Sequence, residues 1–204
     1  MSQKLQLIYN YENKENEQKK SLLFQESAQI IYEIQKQIPN GVIVFLQSYK
    51  DVQEMKEFIE KIYVKNRNFN IYLFFDGFGS GEQLLLEYGE CIKKGKEAVL
   101  VSVMGGKLSE GINFKDEMAR AILVFGLPFP NRNAPELREK MLFYDQQQNP
   151  EFKGKDYYFN GCLKVVNQTI GRCIRHINDY SLVFLIDKRF GDQQIIQGLP
   201  QWYE

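Results

Sequence analysis

The stretch that decides the fold is PNGVIVFLQSYKDVQ, residues 39–53. Pro39, Asn40 and Gly41 form a strong turn signal, and five consecutive apolar residues follow them. A short apolar run that is rich in β-branched and aromatic side chains is typical of a strand buried on both faces of a sheet. Ser48 and Asp51 then resemble a capping box, which predicts that a helix begins directly after the strand. The stretch therefore predicts one strand–helix unit at the centre of the fold.

Strands and helices alternate on both sides of this unit. The predicted strands are 42–46, 71–75, 98–103, 121–125 and 182–186. Helical spacing of apolar residues predicts helices within 23–38, 52–62, 84–92, 137–144 and 157–175, with Ser80 and Asn133 as further caps and Pro135 in a first turn. This alternation predicts an α/β fold with a mostly parallel sheet and helices on both faces. In such a sheet, functional groups gather on loops at the carboxyl ends of the strands.

The composition is typical of one folded domain. Of 204 residues, 44% are apolar and 25% are charged. Lysine plus arginine equals aspartate plus glutamate at 26 each, so net charge predicts neither DNA nor membrane binding, and a DNA contact must come from a local patch. No run approaches the roughly 20 apolar residues that span a bilayer. We expect a polar segment at 1–20, a single domain at 21–204, no export and no membrane partner.

The three cysteines, Cys91, Cys162 and Cys173, are an odd number without a C-x-x-C pair. This pattern argues against a disulfide framework and against a zinc site. We interpret them as ordinary buried thiols and expect no metal bound by this chain itself.

A glycine-rich segment, VSVMGGKLSEGINF, occupies residues 101–114. Its glycines let backbone amides approach a phosphate or a neighbouring lobe, although a plain strand-to-loop turn explains the same glycines. Residues 104–108 do not form a P-loop, because the leading glycine and the Mg²⁺-ligating hydroxyl are missing. The D-E-M-A run at 116–119 precedes its predicted strand, so it does not match a Walker B motif either.

A second segment, NQTIGRCIRH, occupies residues 167–176. On a helix, Gln168, Arg172 and Arg175 would project from one face, and two guanidiniums on one stripe suit an oligophosphate. A solvated face with arginines paired to carboxylates explains the same spacing. His176 is the sole histidine and has no catalytic partner at a recognisable spacing.

Taken in order, three patterns resemble helicase motifs V, Va and VI of the XPD-like iron–sulfur helicases of superfamily 2, and of their ChlR-type branch in particular. They are G-G-K-x-S-E-G-I-N-F, L-P-F-P-N and V-N-Q-x-I-G-R-x-I-R-H. Upstream, residues 41–53 resemble motif IV, and the resemblance covers residues 22–202. It implies a RecA-like sheet of the P-loop NTPase type, as the second motor lobe of a helicase that lacks its own P-loop.

The resemblance also assigns roles to individual residues. It makes Arg172 and Arg175 arginine fingers that reach ATP held by the other lobe, with Gln168 beside the γ-phosphate and the attacking water. The residues that it assigns to nucleotide sensing are Glu110, Gly111 and Asn113. Many XPD-like relatives carry Asp at the position of Asn113, which argues against a charge-based role there. The residues that it turns toward single-stranded DNA are Ser48, Tyr49, Lys107 and Ser109.

The implied cofactors are ATP and Mg²⁺, bound mainly by a first lobe, and an iron–sulfur cluster only in an N-terminal part. The implied partners are single-stranded or forked DNA and an N-terminal helicase lobe, in cis or in trans. The resemblance further implies 5′-to-3′ movement, a nuclear location, and roles in DNA repair and sister chromatid cohesion.

Two other interpretations stay open. One is a non-catalytic half-helicase that binds DNA or a partner without turnover. The other is an unrelated α/β domain with coincidental motif matches. A short gene product, a truncated gene model and an excised domain all fit a chain of this length.

Overall fold

Five parallel strands form one sheet in the computed structural model, which describes residues 14–65, 71–108, 114, 116–147, 151–174 and 176–200. The strands are β1 (Gly41–Leu46), β2 (Ile71–Phe75), β3 (Glu97–Val103), β4 (Ala121–Phe125) and β5 (Leu182–Ile186). Their order across the sheet is β2-β3-β1-β4-β5, and all four pairings are parallel. The predicted α/β class with a parallel sheet is therefore confirmed.

Six helices with both ends in the described part of the chain connect and cover these strands. They are α1 (Lys14–Gln35), α2 (Tyr49–Lys65), α3 (Gly81–Lys93), α4 (Pro135–Gln146), α5 (Gly154–Ile170) and α6 (Gln193–Gly198). Short 3₁₀ turns occupy Asp116–Ala119, before β4, and Lys188–Gly191, after β5. Within the described part of the chain, no helix is long and apolar enough to cross a membrane.

Helices cover both faces of the sheet, and β1 is therefore buried along its whole length. Val42, Val44 and Leu46 join a core cluster with residues of α1 and α2 on one face. Ile43 and Phe45 join a second cluster with residues of α3, α5 and α6 on the other face. The two clusters reflect the alternation of side chains along a strand, and they confirm the prediction of helices on both faces.

The helix caps follow the sequence prediction at two sites out of three. Ser48 Oγ accepts from the Asp51 backbone N–H (3.2 Å) and donates to the Asp51 carboxylate (2.7 Å). Ser80 caps α3 in the predicted way. The prediction for Asn133 is wrong: α4 has Ala134 at its N-cap, and the Asn133 N–H donates instead to Asn131 Oδ1 (3.0 Å). An Asx turn at Asn131 thus provides the acceptor for the N–H of the residue that precedes the helix cap.

The predicted helix over 157–175 is wrong at its end, because α5 stops at Ile170 and Gly171 is its C-cap. The N–H groups of Gly171, Arg172 and Cys173 donate to carbonyls three or four residues back at 2.9, 3.4 and 3.5 Å, which is the pattern of a helix that unwinds. Glycine is a poor helix former, and the fully buried side chain of Cys173 draws the chain into the core. Helical spacing therefore does not relate Arg172 to Gln168.

The three cysteines are buried thiols outside any disulfide, as expected. Burial raises the pKa of the Cys162 thiol to about 12 and also raises the pKa of Cys91. These thiols are therefore protonated and inert side chains of the core.

The first testable prediction concerns Gly41, the first residue of β1. A Cβ there would overlap the Met118 carbonyl oxygen and the Tyr88 hydroxyl, which are hydrogen-bonded to each other. Gly41→Ala should therefore lower the free energy of unfolding by roughly 1–3 kcal/mol in urea denaturation. The matched control is Gly79→Ala, where a Cβ meets nothing within 4 Å and the change should be neutral or stabilising by up to about 1 kcal/mol. Equal losses in both variants would contradict the packing argument.

Candidate functional site

Tyr49 lies at the centre of the carboxyl edge of the sheet. It opens α2 and lies between the loops that follow β2 and β3. A Cβ at Gly77 would be 2.9 Å from Cδ1 of its ring, and a Cβ at Gly106 would be 3.1 Å from its hydroxyl. The Lys107 backbone N–H hydrogen-bonds the same hydroxyl. Glycine at both positions thus lets the ring rest directly on backbone. The predicted DNA contacts of Tyr49 and Lys107 stay predictions.

The environment keeps Tyr49 neutral. Burial raises the pKa of its hydroxyl, the negative charge of Asp76 raises it further, and the Lys107 N–H opposes both effects. The side chain is nevertheless 45% exposed. A neutral phenol with an exposed ring can donate a hydrogen bond to a phosphate oxygen and offer an aromatic face to a base.

Asp76 is a residue of this edge that the sequence analysis missed. It directly follows β2 and is buried, with its N–H bonded to Val101 O (2.9 Å) and its carboxylate accepting from Ser102 Oγ (2.8 Å). The available signal was a carboxylate placed immediately after an apolar strand. Phe78, two residues further on, is 51% exposed and has the Lys56 ammonium 4.3 Å from its ring centroid. The loop next to Tyr49 therefore carries an exposed aromatic ring, with a cation of α2 above it.

The neighbouring residues of Tyr49 are tied to other loops. Gln47 lies across Gly126, which follows β4 with φ of 78°, so that a Cβ at Gly126 would overlap the Gln47 amide. Ser48 is half-buried, and its hydroxyl is engaged in the cap with Asp51. Its predicted DNA contact stays a prediction, with the hydroxyl hydrogen already used by the fold.

The glycine-rich loop after β3 joins this edge to α5. Gly105 has φ of 65°, and a Cβ there would be 3.2 Å from Val165 Cγ1 of α5. Met104 and Leu108 are buried on either side, whereas Lys107 is exposed. The loop is thus anchored at both ends and presents a cation between the anchors.

Five of the predicted site residues fall outside the described residues: Ser109, Glu110, Gly111, Asn113 and Arg175. Their roles stay predictions. The described chain resumes at Phe114, which is fully buried and contacts Phe45 of β1 edge to face.

Gln168 and Arg172 do not share a helical stripe. Gln168 is exposed in the last turn of α5 and lines a groove between α5 and α6, whose other lining residues are Asn160, Leu163, Lys164, Asn167 and Gly198. Arg172 is half-buried on the loop that follows α5 and leads to the first residue of β5. Tyr49 and Lys107 therefore lie at the carboxyl edge of the sheet, whereas the loop that carries Arg172 leads to the amino end of β5.

His176 has a partner that the sequence analysis did not identify. Its Nε2 lies 2.9 Å from Asp116 Oδ1, in the turn before β4. Sixty positions separate the two residues, so no local spacing indicated the contact.

An all-parallel five-stranded sheet covered by helices on both faces is the architecture that a RecA-like motor lobe requires. A model of the helicase C-terminal domain matches residues 31–204. The chain belongs to this helicase C-terminal domain family. It is 38% identical over 186 residues to the ATP-dependent DNA helicase CHL1 of Candida albicans, and 33% identical over 211 residues to the ATP-dependent DNA helicase DDX11 of Mus musculus. The predicted resemblance to the ChlR-type, XPD-like helicases is confirmed.

The matches cover most of this chain and a small share of each relative. The two relatives are matched over 85% and 97% of this chain, which spans 22% and 23% of their lengths. The solved structure of XPD in its apo form has a TM-score of 0.68 at 21% identity, over 96% of this chain and 36% of that chain. This likeness confirms the RecA-like fold.

The second prediction concerns Ser102, which supplies a hydroxyl donor to the buried Asp76 carboxylate. Ser102→Ala should lower the free energy of unfolding by roughly 1–3 kcal/mol, because a buried carboxylate loses a hydrogen bond. Ser21→Ala, at an exposed position of α1, is the control and should change it by less than about 0.5 kcal/mol. Thermal or urea melts measure both, and an unchanged Ser102→Ala variant would show that the hydrogen bond carries no stability.

Proposed function

We propose that this chain is the second motor lobe of an ATP-dependent DNA helicase. It supplies arginine side chains to ATP held by a first lobe and forms part of a track for single-stranded DNA. The observation that carries the proposal is the packing of Gly105 on Val165. This contact joins the loop that presents Lys107 beside Tyr49 to the helix that leads to Arg172. A motor needs such a physical connection between its DNA track and its nucleotide site.

The residues present fit one side of a nucleotide site. When bound, Mg²⁺–ATP supplies the phosphoanhydride bond whose hydrolysis drives the motor. In the proposal, Arg172 and Arg175 contact the γ-phosphate, where a guanidinium is always charged and can bind two phosphate oxygens at once. Gln168 orients the attacking water. The first lobe, in cis or in trans, provides the phosphate cradle and the Mg²⁺ ligands.

The segment between Leu108 and Phe114 would report the nucleotide state to the DNA track. Both of its ends are buried. Glu110, Gly111 and Asn113 lie within it in sequence, and in the proposal they respond to the nucleotide. In the proposal, a change in these residues is passed to Lys107, which directly precedes the buried Leu108.

The DNA track is proposed to consist of Ser48, Tyr49, Lys107 and Ser109. A neutral phenol, hydroxyls and one ammonium group can hold a phosphate backbone without reading base sequence. The substrate in this proposal is single-stranded or forked DNA. The 5′-to-3′ direction, the nuclear location, and roles in repair and cohesion belong to the same proposal and rest on the likeness to the ChlR-type branch.

The iron–sulfur cluster of this helicase class does not fit the described chain. A cluster needs four cysteine thiolates, and the chain has three cysteines, all buried in the core. The proposal therefore assigns any cluster to an N-terminal part of the motor.

The third prediction tests the DNA track. The chain should bind oligo-dT weakly in fluorescence anisotropy, with an affinity that falls as salt rises and varies little with base sequence. Tyr49→Ala should weaken binding by about fivefold or more, as expected for a loss of roughly 1–3 kcal/mol of stacking. Lys107→Ala should weaken it and reduce the salt dependence by about one phosphate contact.

The control for the DNA track is Lys61→Ala, near the opposite end of α2. It removes the same charge together with an exposed ion pair to Glu57, and it should leave DNA affinity unchanged. Equal weakening by Lys61→Ala and Lys107→Ala would indicate non-specific charge attraction and would contradict the track.

The fourth prediction tests the arginine finger. In a motor assembled with a first lobe, Arg172→Ala should lower kcat for ATP by about a thousandfold or more, with a much smaller change in KM. The free energy of unfolding of the lobe should change by about 1 kcal/mol or less, since the Arg172 side chain lies beyond the end of α5. Arg172→Lys should rescue poorly, because an ammonium group lacks the planar fork.

Arg138→Ala, at an exposed position of α4, is the matched control for Arg172 and should leave turnover unchanged. If Arg172→Ala unfolds the lobe, or if turnover is unaffected, Arg172 is a structural residue. A motor with normal DNA binding and no ATPase in any combination would favour the non-catalytic half-helicase.

A further inference from the structure

We propose that Asp116 and His176 are positioning residues whose side-chain contact sets the loop that carries Arg172 against the turn that precedes β4. This inference rests on the proposed function for its consequence in turnover, although the contact itself does not depend on that function. His176 Nε2 and Asp116 Oδ1 are 2.9 Å apart, and both side chains are about half exposed, at 50% and 44%. Asp116 follows the buried Phe114 by two residues, and His176 follows Arg172 by four.

A buried ion pair between Arg120 and Asp179 holds both segments close to the sheet. The Arg120 guanidinium donates to Asp179 Oδ1 (3.0 Å) and to the Tyr180 carbonyl (3.1 Å), and the Asp179 side chain is fully buried. The Arg120 backbone donates to Gly41 O (2.9 Å) and accepts from Leu182 N–H (3.0 Å). Arg120 and Asp179 therefore attach the two segments to the amino edge of the sheet.

The buried ion pair of Arg120 with Asp179 and the exposed contact of His176 with Asp116 have different roles. Removal of one partner from a buried pair leaves an uncompensated charge, so Arg120 and Asp179 stabilise the fold. An exposed pair contributes little to stability, but here the buried pair already holds its partners within reach. The contact between Asp116 and His176 therefore fixes position without stabilising the whole lobe.

The backbone of Asp116 supports a positional requirement. Its φ is 50°, in the left-handed region that few residues other than glycine adopt, although aspartate tolerates it better than most. A conformation of this kind persists where the surroundings demand it. The carboxylate that faces His176 is thus held by a backbone conformation with its own cost.

The contact confines the loop that carries the arginines. Within this loop, Cys173 is held by its full burial in the core, and His176 is held by its contact with Asp116. Only two residues separate these anchors in sequence. Arg172 directly precedes Cys173, so in this proposal loss of the His176 contact gives the loop that carries Arg172 more freedom.

A bound metal ion is the competing explanation for this cluster. Ligand atoms of Asp116, His176 and Asp179 all lie within 4.8 Å of one another. Asp179, however, already receives a full positive charge from Arg120. The neighbourhood therefore favours a direct contact between Asp116 and His176 over a site for a dication.

Hydrogen exchange on the 204-residue chain tests the contact without any assumption about function. His176→Ala should speed exchange of backbone amides in 171–176 and 114–119 by about two- to fivefold, with no change in β1 and β3 and little change in melting temperature. Asp116→Asn, which tolerates the left-handed backbone, should act in the same direction, and the double variant should add nothing to His176→Ala. Glu90→Gln, which removes an exposed ion pair with Lys94 on α3, should leave both segments unchanged.

One further variant, Arg120→Ala, and one further condition, added Zn²⁺, separate the outcomes. Arg120→Ala should instead lower the melting temperature and speed exchange across the sheet. Unchanged exchange in 171–176 for His176→Ala, or acceleration spread over the whole sheet, would overturn the positioning role. Stabilisation of the unmodified chain by Zn²⁺ that is lost in Asp116→Asn would also overturn it, in favour of a metal site.

The consequence for turnover is measured in the two-lobe motor. His176→Ala should lower kcat for ATP about fivefold or more, with KM changed less than about twofold, because a misplaced guanidinium affects the transition state more than binding. Faster loop exchange with unchanged kcat would overturn the link to catalysis. Faster loop exchange in a motor whose turnover is also indifferent to Arg172→Ala would count against the proposed function and leave the contact intact.

Discussion

The burial of β1 on both faces is the constraint on which the rest of the structure depends. All six of its residues are buried, and the strand lies in the middle of the sheet with parallel neighbours on both sides. Such a strand allows polar groups only at its ends. At its amino end, the Gly41 carbonyl accepts a hydrogen bond from the Arg120 backbone N–H. At its carboxyl end, Gln47 and Tyr49 contact the loops that follow β4, β2 and β3. One apolar strand thus organises both edges of the lobe.

The two edges carry different chemistry, and α5 connects them. Tyr49 and Lys107 give the carboxyl edge an exposed ring and a cation, which suit a nucleic acid backbone. The loop after α5 carries Arg172 and leads to the amino end of β5. Close packing of Gly105 on Val165 couples the two regions, because a close-packed contact transmits displacement. In the proposed function, this coupling connects a DNA-binding edge to a loop that faces the nucleotide.

Most of the fold could be predicted from local pattern, since β2, β4 and β5 are continuous apolar runs whose bounds match the prediction. The end of α5 could not, because apolar periodicity continues past Gly171 while the burial of Cys173 is a tertiary effect. The functional segments were found by resemblance, whose motifs are local in sequence. Contacts such as those of Asp76 with Ser102 were missed because they join residues that are distant in the chain. Pattern analysis has no signal for them without the sheet order.

The most direct test of the central claim is the DNA-stimulated ATPase of this chain alone, of a first helicase lobe alone, and of the two together. The chain contains no P-loop sequence, and its proposed contribution is a set of side chains that reach a nucleotide held elsewhere. The account predicts background hydrolysis for each lobe alone and DNA-stimulated turnover for the combined lobes. Robust DNA-stimulated hydrolysis by the 204-residue chain alone would contradict it.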